Sequence, residues 1–130
     1  MDRPLLVYTT FPDVDSALAI GEGLIRDRLI ACINVLPGMR SVYAWKGAVE
    51  QAQEAAAILK TRKGLQDRVH KALKERHPYE TPAILFIEPT GADAATLDWL
   101  VGETAGGRTA RLRSVSLPQL AGVHCTGTKR

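Results

Sequence analysis

The sequence predicts one domain of α+β type, in which short β-strands alternate with amphipathic helices. Its 130 residues are the length of a single ordinary domain, and its apolar (45%) and charged (24%) fractions are those of an average globular protein. Runs of β-type residues separate segments whose apolar residues recur at helical spacing. A chain of this size buries about two thirds of its surface on folding, which is enough for a hydrophobic core.

The first half of the chain predicts a strand, a helix and a long interrupted strand. Residues 5–11 form a β-rich run, and Asp13 after it is placed to cap a helix. The helix is predicted because its apolar-face residues follow the i, i+3, i+4, i+7, i+8 pattern: Ala17, Ile20, Gly21, Leu24 and Ile25. Residues 30–36 and 39–45 are of β type, and Pro37-Gly38 between them indicates a bulge or an edge position.

The next segment, residues 48–61, follows a predicted turn at Lys46-Gly47 and has the local pattern of a helix. Its apolar residues fall at helical spacing, and Glu, Gln and Ala dominate between them. Propensity alone therefore predicts a helix here. Residues 63–76 predict a second amphipathic helix, which Pro78 should end by His77 because the residue before a proline disfavours helical geometry.

The last part of the chain predicts a strand at residues 83–87 and a short helix at residues 92–101. After this helix the pattern dissolves. Residues 104–130 are rich in Gly, Thr, Ser and Arg and have no sustained period, which is typical of disorder. We therefore divide the chain into a folded domain, residues 1–103, and a basic, disordered tail, residues 104–130.

The positive net charge belongs to this tail and does not indicate nucleic-acid binding. Residues 104–130 contain five basic residues and no acidic one, so subtracting five from the total of +3 leaves residues 1–103 at about −2. The tail also lacks aromatic side chains on which bases could stack. We expect no nucleic-acid partner.

The start of the chain and its cysteines indicate a cytoplasmic protein with free thiols. No apolar run approaches the roughly 18 residues that a membrane span needs, so no membrane partner is expected. The first residues lack the basic start and cleavage site of a signal peptide. Cys32 and Cys125 lie too far apart for zinc-type spacing, and two cysteines do not make a disulfide framework.

Several ordered motifs carry a resemblance to a known family. They lie at consistent spacing between about residues 5 and 101: residues 31–38 and 41–47, Glu54 with residues 58–61, the sequence His77-Pro78-Tyr79-Glu80-Thr81-Pro82 and, more weakly, Leu97-Asp98-Trp99-Leu100. With these motifs the chain resembles the divalent-cation tolerance (CutA) family.

The resemblance implies a ferredoxin-like βαββαβ sandwich with a long β2–β3 hairpin and an extra C-terminal helix, assembled as a homotrimer. It also implies that residues 48–61 form a strand, against their local propensity. A strand from Ile30 to Tyr43 would reach about 46 Å at roughly 3.3 Å per residue. A compact domain of this length has a diameter of roughly 36 Å. The hairpin would therefore overhang its own sheet, and its unpaired edges would need a neighbouring subunit.

The function that the resemblance implies is divalent-cation tolerance, chiefly toward copper, and the incomplete ligand set of this chain predicts that it binds metal weakly. Its candidate ligands are Cys32 and His77, which suit Cu or Zn, and no cofactor is obligatory. Relatives that bind copper carry a further cysteine where this chain has Thr9, so one soft ligand is missing. The alternatives are a Cys32 that is simply a small buried hydrophobe and a His77 that bonds a carbonyl at its helix end.

A second constellation in the resemblance supports an alternative function. Aromatic walls with one lysine and one carboxylate could line a ligand cleft between subunits: Tyr43, Trp45, Lys60, Tyr79 and Glu80. The protein would then be a trimeric signalling module similar to the PII proteins. The competing interpretation is that Tyr43 and Trp45 pack the hairpin tip against a neighbouring protomer. No catalytic motif is present, and we do not expect an enzyme.

Overall fold

The computed structural model describes residues 2–106, which form a four-stranded antiparallel sheet with three α-helices. The elements follow one another as β1 (Pro4–Phe11), α1 (Val14–Arg26), β2 (Cys32–Trp45), β3 (Ala48–Arg62), a 3-10 turn (Lys63–Leu65), α2 (Gln66–Arg76), β4 (Ile84–Ile87) and α3 (Ala94–Glu103). The strand order is β2-β3-β1-β4. This βαββαβ arrangement with one added helix confirms the predicted ferredoxin-like fold.

Strand β3 is where tertiary structure overrides local propensity. It pairs with β1 over its second half and with β2 along most of its length, so it is a central strand. Ala55, Ala57 and Leu59 alternate toward the helices and are almost completely buried. Pairing on both edges and this burial together outweigh a preference of a few tenths of a kcal/mol per residue for helix. The helix predicted from propensity is wrong, and the strand implied by the resemblance is confirmed.

The β2–β3 hairpin has the predicted bulge and the predicted turn. The pairing register shifts between Leu36 and Met39, where Gly38 has a φ of +74°. At the tip, Lys46 and Gly47 have φ values of 49° and 84°. Positive φ at both central residues is the geometry of a type I′ turn, whose twist matches that of the flanking strands.

Helices α1 and α2 pack on one face of the sheet and form the main core with it. The Asp13 carboxylate caps α1 by accepting the Ser16 N–H at 2.7 Å, as predicted. At the end of α2 the His77 N–H donates to the Leu73 carbonyl at 2.9 Å, and the helix stops there. The largest side chains buried between these layers are Phe11, Leu5, Leu24, Ile30, Leu59, Leu65 and Leu73.

Residues 2–106 cover the opposite face of the sheet only in part. Helix α3 lies at one end of it, where Trp99 and Leu100 pack against Ala31 and Cys32 in a second, smaller cluster. The uncovered remainder, called here the open sheet face, has exposed apolar side chains: Leu36 (51% exposed), Leu85 (59%) and Ile87 (46%).

The prediction of a free thiol at Cys32 is wrong. Residues 2–106 contain no free cysteine, and Cys32 is disulfide-bonded. The expectation fails because separation along the sequence does not limit how close two thiols come in a fold. Cys125 and nearly all of the predicted tail lie outside the described residues. No helix within residues 2–106 is long and apolar enough to cross a membrane.

Candidate functional site

The His77 ring is buried and uses both of its nitrogens. Its Nε2 lies 2.8 Å from the Thr10 carbonyl oxygen and 3.2 Å from Thr9 Oγ1. Its Nδ1 accepts the Tyr79 backbone N–H at 3.1 Å. Because Nδ1 is an acceptor, we assign the proton to Nε2, which donates it to the Thr10 carbonyl. The ring therefore ties the segment after α2 to strand β1.

Packing and burial keep this imidazole neutral. Its ring stacks on Phe11 with centroids 4.5 Å apart and an interplanar angle of 10°. Burial lowers the pKa of His77 below 6.5, although the Thr10 carbonyl and the Glu54 carboxylate oppose that shift. The neutral form is the form that can ligate a metal ion. The alternative role of His77, a bond from the ring to a carbonyl at its own helix end, is not what forms, because the ring bonds to the carbonyl of Thr10 in strand β1.

Tyr79 and Glu54 extend the hydrogen bonding from His77 to the hairpin. The Tyr79 hydroxyl donates to Glu54 Oε2 at 2.7 Å. Burial raises the pKa of Tyr79, and so does the Glu54 carboxylate. Burial alone would raise the pKa of Glu54, but hydrogen bonds with Tyr79, Ser41 and Thr10 outweigh it and hold that pKa below its usual value. We call His77, Thr10, Tyr79 and Glu54 the His77 cluster.

An open cavity of about 330 Å³ lies beside this cluster. Its lining comes from the start of α1 and from the bulged part of the hairpin, and it includes Asp13, Gly38, Gln53 and Glu54. The Ser16 N–H lowers the pKa of Asp13, so both carboxylates are ionised near neutral pH. Such a cavity attracts cations and offers them oxygen ligands.

The other predicted metal ligand, Cys32, lies elsewhere. It pairs with Lys60 in β3, whereas Thr9, beside His77, pairs with Ala57. Two strand spacings and three residues along the strand separate Cys32 from Thr9 by roughly 14 Å. The two residues also point to opposite faces, because Thr9 lies on the helix-covered side. Within residues 2–106, no group of three or more His, Cys, Asp or Glu residues could hold a metal ion.

The five predicted cleft residues do not converge within one chain. Tyr43 is close enough to Tyr79 to raise its pKa. Trp45 is at the hairpin tip, 44% exposed, with Lys46 Nζ 5.8 Å from its ring centroid. Lys60 lies at the other end of β3, and Glu80 lines a different cavity. Any shared cleft would therefore need groups from more than one subunit.

Sequence reasoning missed Glu54 and Asp13 as site residues. Glu54 belongs to the recognised motifs, but its position in a segment of helical pattern hid its contact with Tyr79. Asp13 was identified only as a helix cap. Their proximity depends on the register of β3 and on the hairpin bulge, which a single sequence does not specify.

Comparison with known proteins identifies the family. A family model described as CutA1 divalent ion tolerance protein matches residues 5–103. The chain belongs to this family. A CutA1 relative from Pyrococcus horikoshii, named a divalent-cation tolerance protein, is 44% identical over 100 residues, which are 77% of this chain and 97% of that protein. A second protein of that name, from Thermotoga maritima, is 43% identical over 96 residues, which are 74% of this chain and 94% of that protein.

Solved CutA1 structures support the fold independently. The crystal structure of the divalent ion tolerance protein CutA1 from Ehrlichia chaffeensis matches with a TM-score of 0.78 at 37% identity, covering 82% of this chain and 99% of that one. CutA1 from Oryza sativa matches with a TM-score of 0.76 at 31% identity, covering 81% and 96%. These similarities confirm both the family predicted from the motifs and its fold.

Proposed function

We propose that the protein is a metal-responsive divalent-cation tolerance protein that acts as a cytoplasmic homotrimer and binds Cu²⁺ or Zn²⁺ weakly. The observation that carries the proposal is the buried His77 imidazole together with the nearby Glu54 carboxylate, which lines the open cavity. Imidazole suits both copper and zinc, and carboxylate oxygen is a further ligand for zinc. Membership in the CutA1 family supports divalent cations as the ligand class.

The bonding of His77 is the reason to expect weak binding. A metal ion at Nδ1 must displace the Tyr79 N–H, and one at Nε2 must displace the bond to the Thr10 carbonyl. Each lost hydrogen bond costs about 1 kcal/mol. Cys32 adds nothing in its disulfide form, because only a thiolate is a strong metal ligand. Water or a neighbouring subunit must then supply the remaining ligands.

The proposed trimer accounts for the surface that one chain leaves uncovered. The open sheet face exposes apolar side chains, and within the described part of the chain β2 and β4 are edge strands that pair on one side each. The hairpin tip exposes Val42, Trp45 and Val49 as well. Exposed apolar area and unpaired strand edges both favour association with another chain.

Calorimetric titration of the full-length protein with Cu²⁺, Zn²⁺ and a panel of nucleotides tests the proposed ligand class. We expect heat of binding with the metal ions and none with the nucleotides. The outcome that would replace this proposal is nucleotide binding without metal binding, which would favour the PII-like module with a ligand cleft between subunits. The cavity of about 330 Å³ beside Glu54 is the feature that favours that second candidate.

A further inference from the structure

A second cavity, separate from the His77 cluster, lies between α2 and the segment that leads into β4. It has a volume of about 250 Å³ and is lined by His70, Lys74, Glu80, Thr81, Pro82 and Ile84. His70 and Lys74 are four residues apart on α2, so their side chains lie on the same face of the helix. The His70 ring packs against Phe86 of β4 in a T-shaped arrangement, with centroids 5.4 Å apart and an interplanar angle of 80°, which places it beside the strand.

The charged side chains that line this cavity have no partner among the described residues. Within residues 2–106, the side chains of His70, Lys74, Glu80 and Thr81 form no hydrogen bond and no ion pair. Lys74 and Glu80 line one cavity without pairing with each other. By contrast Arg76, two residues after Lys74, bonds Asp27 at 2.6 Å. The cavity therefore presents a lysine ammonium, a carboxylate, an imidazole and a hydroxyl to the solvent.

We propose that this cavity binds a small zwitterion of the α-amino acid class. The carboxylate of the ligand contacts the Lys74 ammonium, with donors from the His70 ring and the Thr81 hydroxyl. The ammonium of the ligand contacts the Glu80 carboxylate. Charge-assisted hydrogen bonds of this kind are stronger than neutral ones, and the mainly polar lining of the cavity suits a small charged ligand rather than an apolar one. Because the cavity is open, we expect a Kd on the order of 1 mM.

NMR titration of the full 130-residue protein tests this site. L-alanine should shift the ring resonances of His70 in a saturable manner, while those of His77, which is buried and outside the cavity, stay in place. Propionate, which lacks the ammonium, should bind about tenfold more weakly, and ethylamine, which lacks the carboxylate, should produce no saturable shift. Equal affinity for alanine and propionate would refute the proposal that the ligand is a zwitterion.

Matched variants locate the binding. Lys74→Met should reduce the affinity for alanine at least tenfold, whereas Lys71→Met, an exposed lysine of the same helix outside the cavity, should leave it unchanged. Glu80→Gln should weaken alanine binding and leave propionate binding as it was. The proposal is overturned if the His70 signal does not move at tens of millimolar alanine. A cavity filled by a neighbouring protomer would give the same result and overturn it equally. So would a Lys74→Met variant that binds like the parent protein.

Discussion

The structural role of His77 and its proposed role as a metal ligand compete for the same atoms. Its ring nitrogens hold the segment after α2 against β1, and the proposed metal ion would bind those same nitrogens. A buried ring with both nitrogens bonded stabilises the fold and binds metal only by exchanging one bond for another. Affinity for metal at this residue is therefore limited by the strength of the local structure.

The first prediction compares the two candidate ligands. His77→Ala should reduce Cu²⁺ or Zn²⁺ binding by about tenfold, whereas Cys32→Ser should have little effect, because Cys32 lies on the opposite face of the sheet and has no free thiol. Calorimetry with each ion measures the difference, and His70→Ala is the control for a general loss of imidazole. Equal losses for His77→Ala and Cys32→Ser would indicate instead a Cys–His site shared between subunits.

The second prediction concerns stability against pH. The pKa of His77 is lower in the folded state than its ordinary value of 6.5, so the unfolded chain binds the proton more tightly. The stabilising contribution of neutral His77 is then complete above pH 6.5 and declines as the pH falls from 6.5 toward the folded pKa. Urea unfolding between pH 7.5 and 5 should show this decline.

A variant assigns the decline to one residue. His77→Gln should lower the overall stability and remove the loss between pH 6.5 and the folded pKa, whereas His70→Gln should retain that loss. The lowered pKa of Glu54 acts in a different range, since its contribution is lost only as the pH falls below about 4.5. A parent protein whose stability is flat from pH 7.5 to 5 would contradict the account of His77.

The third prediction removes one hydroxyl from the His77 cluster. Tyr79→Phe deletes the donor to Glu54 Oε2 and should lower the free energy of unfolding by about 1 kcal/mol. The pKa of Glu54 should rise, because the hydrogen bond from the Tyr79 hydroxyl, which helps to lower that pKa, is gone. Tyr43→Phe, which deletes a hydroxyl near the cluster without that bond, is the control in urea unfolding. Equal effects of both substitutions would show that the bond to Glu54 contributes little.

At the scale of the elements, helix α1 contains two glycines that differ in what surrounds them. A Cβ at Gly21 would lie 2.6 Å from Ile33 Cγ2, so this glycine lets the helix approach β2. A Cβ at Gly23 would meet only the Arg76 guanidinium at 3.5 Å, an ordinary contact with a flexible side chain. From the sequence alone the two glycines are expected to destabilise the helix equally, and only the packing around them distinguishes the two positions.

The fourth prediction uses this pair. Gly23→Ala should stabilise the protein by about 0.5–1 kcal/mol, because alanine loses less backbone entropy in a helix. Gly21→Ala gains the same propensity but forces Ile33 to move, and overpacking of a core costs about 1–3 kcal/mol. The melting temperature should therefore rise for Gly23→Ala and fall for Gly21→Ala. A rise for both would mean that Ile33 moves at little cost.

Element by element, the sequence predicted most of the fold and much less of the site. The caps, the bulge and the hairpin turn follow from Asp13, Gly38 and Lys46-Gly47, because those residues act locally. Strand β3 required the family resemblance, since its alanines fit either period and only pairing on both edges decides between them. The contact of Glu54 with Tyr79 depends on that long-range register, which no local pattern contains.

At the scale of the whole molecule, one chain is an incomplete unit. The helix-covered side of the sheet is a closed core, whereas among residues 2–106 only α3 covers part of the open sheet face. Tyr43 and Tyr79 lie near each other in one chain, while Trp45, Lys60 and Glu80 do not join them. Both the apolar face and the dispersed cleft residues are explained if neighbouring subunits complete them.

The fifth prediction tests that assembly. Leu85 lies on the open sheet face and Leu18 on the outer side of α1, and both are about half exposed in one chain. Burying a leucine side chain stabilises an interface by about 1.5–3 kcal/mol, and burying an unpaired carboxylate there costs more. Light scattering at micromolar concentration should therefore give a trimer for the parent protein and for Leu18→Asp, and smaller species for Leu85→Asp. A monomeric parent protein would refute the trimer, and dissociation by Leu18→Asp alone would place the interface on the helices, where it would leave the apolar sheet face in water.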